Sequence, residues 1–293
     1  MKATANSTEA SKVHYKTIRI RDLDVFYRDA GPRDAPVLLL LHGFPTSSNM
    51  FRNLIPRLAE SFRVIAPDYP GYGFSSMPDH KAFPYTFENV TSIVEELTKT
   101  LELTKYTLYV MDYGAPIGYR LALLHPEKIS GLIVQNGNAY EEGLLKFWDP
   151  IKKYWHDATP ENRAALTFMV SPETTKWQYH NGVSDPGLLD PTTWTLDQVL
   201  LDRPGNGDIQ LDMLFDYGSN VPLYPQFQAF FRQYKPPTLI VWGKNDFIFP
   251  PEGAVPYKRD LPNVETHLLD TGHFALETHG EEIANHIKRF FAS

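Results

Sequence analysis

The chain has 293 residues, 42% of them hydrophobic and 13% aromatic, with 28 Lys and Arg against 35 Asp and Glu for a net charge of −7. A chain of this length and composition buries a large core, which excludes a disordered chain, a collagen and a coiled coil, and the lack of a dense basic block removes the electrostatic footprint of a nucleic-acid binder. Cysteine is absent, which excludes disulfides, thiolate catalysis and cysteine-based zinc sites. The longest aliphatic run, Val37 to Leu41, is five residues, far short of a membrane span. The polar stretch from Met1 to Lys16 lacks the apolar centre of a secretory signal. The expectation is a soluble, cytoplasmic protein, monomeric or a small homo-oligomer, with no nucleic-acid or membrane partner.

The first dozen residues show no periodicity and read as a lead-in. Thr17 to Arg21 and Val25 to Tyr27 alternate in polarity around Asp22 to Asp24, as a hairpin does. Val37 to Leu41 is apolar throughout, which suits a strand covered on both faces, and it ends at His42-Gly43-Phe44-Pro45. Phe62 to Ala66 predicts the next strand, Glu88 to Leu101 a helix, Tyr106 to Met111 a strand, Ala115 to Leu124 a helix and Gly131 to Val134 a strand. Strands that alternate with helices imply a mainly parallel sheet covered on both faces. From about Gly137 to Val221 the pattern turns mostly helical, and strands resume at Pro237 to Trp242 and Val264 to Leu269 before a closing helix from about Glu281 to Phe291. The fold class is therefore α/β, with the sheet interrupted once: residues 1–136 and 222–293 form the core, and residues 137–221 a helical insertion.

Ligands of open parallel sheets sit outside the C-terminal ends of the strands. Three such ends carry Asp112, Asp246 and His273, in the order of a nucleophilic triad. Gly114 stands two places after Asp112, where a sharp strand-to-helix turn needs a small residue, and Gly118 would let the next helix pack closely on the sheet. Each residue alone has a plainer reading: Asp112 as a helix cap, Asp246 as a turn former, His273 as one histidine among ten. Together, at three strand ends flanking one insertion, they define a constellation.

This constellation resembles the α/β-hydrolase superfamily, and within it the epoxide hydrolase and haloalkane dehalogenase branch, from about Tyr15 to Phe291. His42-Gly43-Phe44-Pro45 looks like the branch's oxyanion loop, Asp68 to Ser75 like its loop after the following strand, and residues 137–221 like its helical cap. The resemblance implies that Asp112 is the nucleophile, Asp246 the acid and His273 the base. No G-x-S-x-G occurs, and an Asp at the elbow suits attack on an sp³ carbon rather than ordinary acyl transfer. Hydrolysis of the resulting ester passes through an oxyanion, for which the backbone N–H groups of Phe44 and Tyr113 are the candidates. The peptide bond before Pro45 is open to either isomer.

The leaving group separates the two branch members. Dehalogenases of this type typically carry Trp directly after the nucleophile, where this chain has Tyr113, and many carry Asn or Glu where it has Phe44. Similar epoxide hydrolases use two cap tyrosines, and Tyr217 and Tyr154 are the candidates, with Tyr140 and Tyr179 as rivals for the latter's position. Four of the five tryptophans, Trp148, Trp155, Trp177 and Trp194, fall in the insertion, where they bind halide through an indole N–H or merely pack and line the pocket. His42, Pro45, Trp148, Trp155 and Trp177 are expected to line a pocket for a small hydrophobic molecule, which reacts with water and needs no cofactor or metal. Gly71-Tyr72-Gly73 lacks the third glycine of a dinucleotide loop, and His279 and His286 read as solvated helix residues. Epoxide hydrolysis leads, dehalogenation follows, and a ligand sensor that kept the fold is an outside reading.

Overall fold

The computed structural model describes residues 12–291, so most of the lead-in lies outside the described residues. Strands β1 (Val13–Ile20) and β2 (Leu23–Ala30) form the hairpin, antiparallel and in unbroken register. β3 (Val37–Leu41) and β4 (Arg63–Pro67) follow, with the short helix α1 (Leu54–Leu58) between them. Helix α2 (Phe87–Thr100), β5 (Tyr106–Met111), α3 (Gly114–Leu124) and β6 (Ile129–Gln135) complete the first part. Between β6 and β7 (Thr238–Gly243) the described chain contains no strand. It runs through α4 (Asp149–His156), α5 (Pro160–Ala164), α6 (Pro172–His180), α7 (Thr192–Leu201), α8 (Asn206–Asp216) and α9 (Tyr224–Tyr234). Then come α10 (Tyr257–Asp260), β8 (Glu265–Leu269) and α11 (Ala275–Phe291). Helix α11 starts earlier than its periodicity predicts, because a kink at His279 joins two helical pieces.

The sheet has eight strands in the order β1-β2-β4-β3-β5-β6-β7-β8, antiparallel across β1, β2 and β4 and parallel from β4 onwards. The apolar run of β3 is explained by its burial on both faces. Leu39 and Leu41 pack into one core with the apolar stripe of α2 (Val90, Ile93, Val94, Leu97). Leu38 and Leu40 pack into the other, with Leu54, Ile55 and Leu58 of α1 and Ile283 and Ile287 of α11. A strand in that position has no solvent face, so alternation disappears from its sequence.

The helices after β6 divide by what they touch. Phe227 and Phe231 of α9 pack on Tyr119 of α3, beside the sheet. Helix α8 and the turn before it are held over a loop at the strand ends instead: the Arg203 guanidinium donates to the carbonyls of Gly71 and Gly73, Asn206 donates to Gly71, and Tyr72 donates to Gln210. Among the described residues no helix is long and apolar enough to cross a membrane.

Candidate active site

Strand β5 leaves the sheet at Met111, and the next residue, Asp112, takes φ +51°, the left-handed region that an L side chain enters only under constraint. The constraint is the turn into α3. A Cβ on Gly114 would lie 2.1 Å from the Leu41 carbonyl oxygen, so only glycine lets α3 begin this close to β3. Gly118 does the same one turn on, against Val110. The outcome is a carboxylate raised above the sheet and buried, with Asp112 only 4% exposed.

Its two oxygens have different surroundings. Oδ1 accepts the backbone N–H of Phe44 at 2.8 Å and of Tyr113 at 2.6 Å. Oδ2 faces Nε2 of His273 at 3.7 Å. The Phe44 N–H reaches Oδ1 because residue 43 is glycine, where a Cβ would stand 2.5 Å from that oxygen. The Phe44–Pro45 bond is cis. Below the loop, the Asp68 carboxylate accepts the N–H of Ser48 and of Phe74, which ties the loop after β3 to the loop after β4.

His273 Nδ1–H donates to Asp246 Oδ2 at 2.7 Å, leaving Nε2 without a hydrogen-bond partner in the protein. Asp246 is itself fixed: Oδ1 accepts the Ile248 N–H, and Oδ2 accepts Asn136 Nδ2 at 2.8 Å. Asn136, at φ +43° just after β6, also accepts the Gly243 N–H and so bridges two strand ends. Burial pushes the Asp112 carboxyl up to about 6, against the pull of His273 and the two N–H donors. Burial lowers the His273 imidazole, but Asp246, by charge and hydrogen bond, and Asp112 outweigh it, so the net shift is upward.

A narrow cavity of about 10 Å³ opens on Asp112, with Phe44, Tyr113, Trp148, Leu214 and Ile248 among its walls. Several expected pocket residues lie elsewhere. The His42 ring stacks on Tyr69 at 3.9 Å, its Nε2 accepting the Tyr69 N–H, and burial drives its pKa down to about 3. It is a neutral strut of the loop, and Pro45 next to it is buried without lining the cavity. Trp155 stacks on Tyr217 and borders an open outer cleft with Leu144 and Phe215. Trp177 stacks on the outer side of Phe147, which does line the cavity.

The candidate leaving-group tyrosines have other partners for their hydroxyls. The Tyr154 hydroxyl accepts Arg163 Nη1 at 3.2 Å in a cluster with Asp212, away from Asp112. Tyr217 is fully buried against Tyr113 and Trp148, yet it is not a wall of the cavity, and its hydroxyl lies 3.4 Å from that of Tyr224. The rivals Tyr140 and Tyr179 donate to Asp260 and Asp197. Two of the four indole N–H groups of the insertion are committed as well: Trp148 donates to the Ile248 carbonyl and Trp155 to that of Leu214.

Two polar residues at the site carried no sequence signal for their roles. Asn136 stands at a strand end, but only the fold shows that it reaches across to Asp246. Gln178, on α6 beside Trp177, lines the cavity with a buried amide nitrogen that has no partner. Away from the site, Glu265, His267 and His286 stand close enough together for a metal ion, but the Arg289 guanidinium already bonds the Glu265 carboxylate there.

Carboxylate, N–H donors and Asp–His pair all gather at the strand ends of an α/β sheet, the arrangement expected of an α/β-hydrolase. The chain belongs to the alpha/beta hydrolase fold family, whose pattern matches residues 36–280, and is a hydrolase of that fold. It is 46% identical over 283 residues, 95% of this chain and 97% of the relative, to a protein of Saccharomyces cerevisiae named an uncharacterized hydrolase. It is 28% identical over 268 residues, 86% of this chain and 81% of the relative, to a cis-3-alkyl-4-alkyloxetan-2-one decarboxylase of Shewanella oneidensis. Over a shorter stretch of 128 residues, 42% of this chain and 43% of the relative, it is 41% identical to a haloalkane dehalogenase of Mycobacterium marinum.

Proposed function

We propose that the chain hydrolyses a small apolar substrate at an sp³ carbon through an alkyl ester on Asp112, and that the substrate is an epoxide opened to a diol. The observation that carries the reading is the unequal treatment of the two Asp112 oxygens. Oδ1, under the N–H groups of Phe44 and Tyr113, is suited to become the ester carbonyl oxygen, while Oδ2 is free to attack. After attack the ester carbonyl carbon lies beside His273 Nε2, the lone pair that would take a proton from water, with Asp246 stabilising the imidazolium. The tetrahedral oxyanion then falls to the same two N–H donors.

Dehalogenation is the second reading, favoured by the partial match to a haloalkane dehalogenase. Against it stand the committed indole N–H groups of Trp148 and Trp155, which leave no free indole donor from either for a halide. A second relative matched over most of both chains is named as a decarboxylase of an oxetan-2-one, a substrate with a strained oxygen ring rather than a halide. Incubation with styrene oxide and a bromoalkane in parallel tests the choice. Diol in excess of free bromide is expected, and bromide alone would move the assignment to dehalogenase. A burst of product without steady turnover would favour the sensor.

The two half-reactions differ in their response to pH. Ester formation needs Asp112 ionised, so its rate should fall about tenfold per unit once the pH drops below about 6. His273 must be neutral to act as base, and the Asp112 charge is one of the causes holding its pKa up. Ester formation removes that charge. The acid limb of ester hydrolysis should therefore lie at lower pH than the His273 titration followed by NMR in the free protein. Coincident values would contradict this coupling.

Asn136→Ala should slow ester hydrolysis by about tenfold to a hundredfold, because Asp246 loses a donor that fixes its aim at His273. Ester formation should be nearly unchanged, since His273 acts only afterwards. Pre-steady-state rates of the two steps distinguish this positioning role from general damage, which would slow both.

A further inference from the structure

The cavity over Asp112 is apolar except for three side chains, Asp112, Tyr113 and Gln178. Gln178 is 2% exposed and its Nε2 has no hydrogen-bond partner; Tyr113 is 2% exposed and its hydroxyl has none either. Most other buried tyrosines, including Tyr69, Tyr72, Tyr109 and Tyr179, have bonded hydroxyls. Both residues border the cavity, and buried donors are normally paired, so two unpaired ones on residues beside one reactive cavity call for a ligand that pairs them. The Tyr154 hydroxyl meets Arg163, that of Tyr217 lies beside Tyr224, and the Trp148 and Trp155 indoles donate to carbonyls.

We infer that the Gln178 carboxamide and the Tyr113 hydroxyl together bind the oxygen that leaves carbon when Asp112 Oδ2 attacks. This rests on the ester scheme proposed above and narrows it to substrates with an oxygen leaving group. In the step, the Oδ2–carbon bond forms and the carbon–oxygen bond of the epoxide breaks. The departing oxygen receives an N–H hydrogen bond from Gln178 and the proton of Tyr113. Transfer from phenol to alkoxide is downhill because an aliphatic alcohol is the weaker acid. Water then supplies the balance. One proton passes through His273 to the oxygen released from the ester, and the second restores the Tyr113 hydroxyl as Asp112 returns to carboxylate. Both donors are neutral, so they gain strength only as negative charge develops on the oxygen, and they lower the barrier more than they tighten ground-state binding.

The test uses the full chain carrying His273→Gln, so that ester formation with styrene oxide is read alone by quenched intact-protein mass spectrometry. Adding Gln178→Leu or Tyr113→Phe should each slow ester formation on the order of a hundredfold. Tyr217→Phe, whose hydroxyl faces Tyr224, should leave the rate within about threefold of the parent, since only groups bonded to the departing oxygen carry the large effect. The thermal midpoint should be unchanged or raised by Gln178→Leu, because an unpaired buried amide is removed; a packing role for Gln178 would lower it. An ester formation rate within about threefold of the parent in both Gln178→Leu and Tyr113→Phe, with the fold intact, overturns the inference and leaves the ester scheme standing. If the parent itself forms no ester with styrene oxide or a bromoalkane, the ester scheme fails first and the inference with it.

Discussion

His273→Gln is expected to stop the reaction halfway, with one substrate-derived mass increment per chain accumulating on Asp112 and turnover falling by a factor on the order of 10³ or more. Nε2 of His273 faces Asp112 Oδ2 at 3.7 Å, a distance that suits activation of a water at the ester carbon. In the proposed scheme nothing in the first step asks His273 for a proton, because the Asp112 carboxylate is itself the nucleophile. Asp112→Asn should show no increment at all. Peptide mapping after short exposure to substrate locates the increment. An increment on any other residue, or none on a folded His273→Gln protein, counts against the two-step scheme.

Gly43→Ala carries the second large effect. A Cβ there meets the Asp112 carboxylate at 2.5 Å, so either the loop withdraws the Phe44 N–H or the carboxylate turns away. Both outcomes remove an oxyanion donor, and loss of one such donor costs about 10² to 10³ in rate. Ester formation and ester hydrolysis should both slow, unlike the Asn136→Ala case, since Oδ1 is held by Phe44 before attack and bears the oxyanion afterwards. Circular dichroism separates this from unfolding. Hydrolysis within about threefold of the parent would mean that the Phe44 N–H is not needed.

The triad was legible because parallel strands deliver their chemistry at one end. Once β5, β7 and β8 are recognised, Asp112, Asp246 and His273 share an edge whatever the details of packing. Strand limits were readable for the same reason: β3 and β5 are buried on both faces, and their apolar runs stop where the chain leaves the sheet. Hydrogen-bond destinations were not readable. Trp148 and Trp155 look like free donors in the sequence, but each indole N–H meets a carbonyl that only the folded insertion brings near. The same holds for the Tyr154 and Tyr217 hydroxyls, as Arg163 comes from another part of the insertion and Tyr224 from α9. Gln178 was missed because a polar residue on a short, mostly polar helix normally faces water, and nothing in its spacing marks burial.

A single turnover in H₂¹⁸O, with enzyme in excess over styrene oxide, tests the nucleophile most directly. An ester on Asp112 is hydrolysed at its carbonyl carbon, so the first diol should carry no label from water, and the ¹⁸O should appear in the peptide containing Asp112. Labelled diol in that first turnover, with unlabelled Asp112, would mean that water attacks the substrate directly and that Asp112 is not the nucleophile.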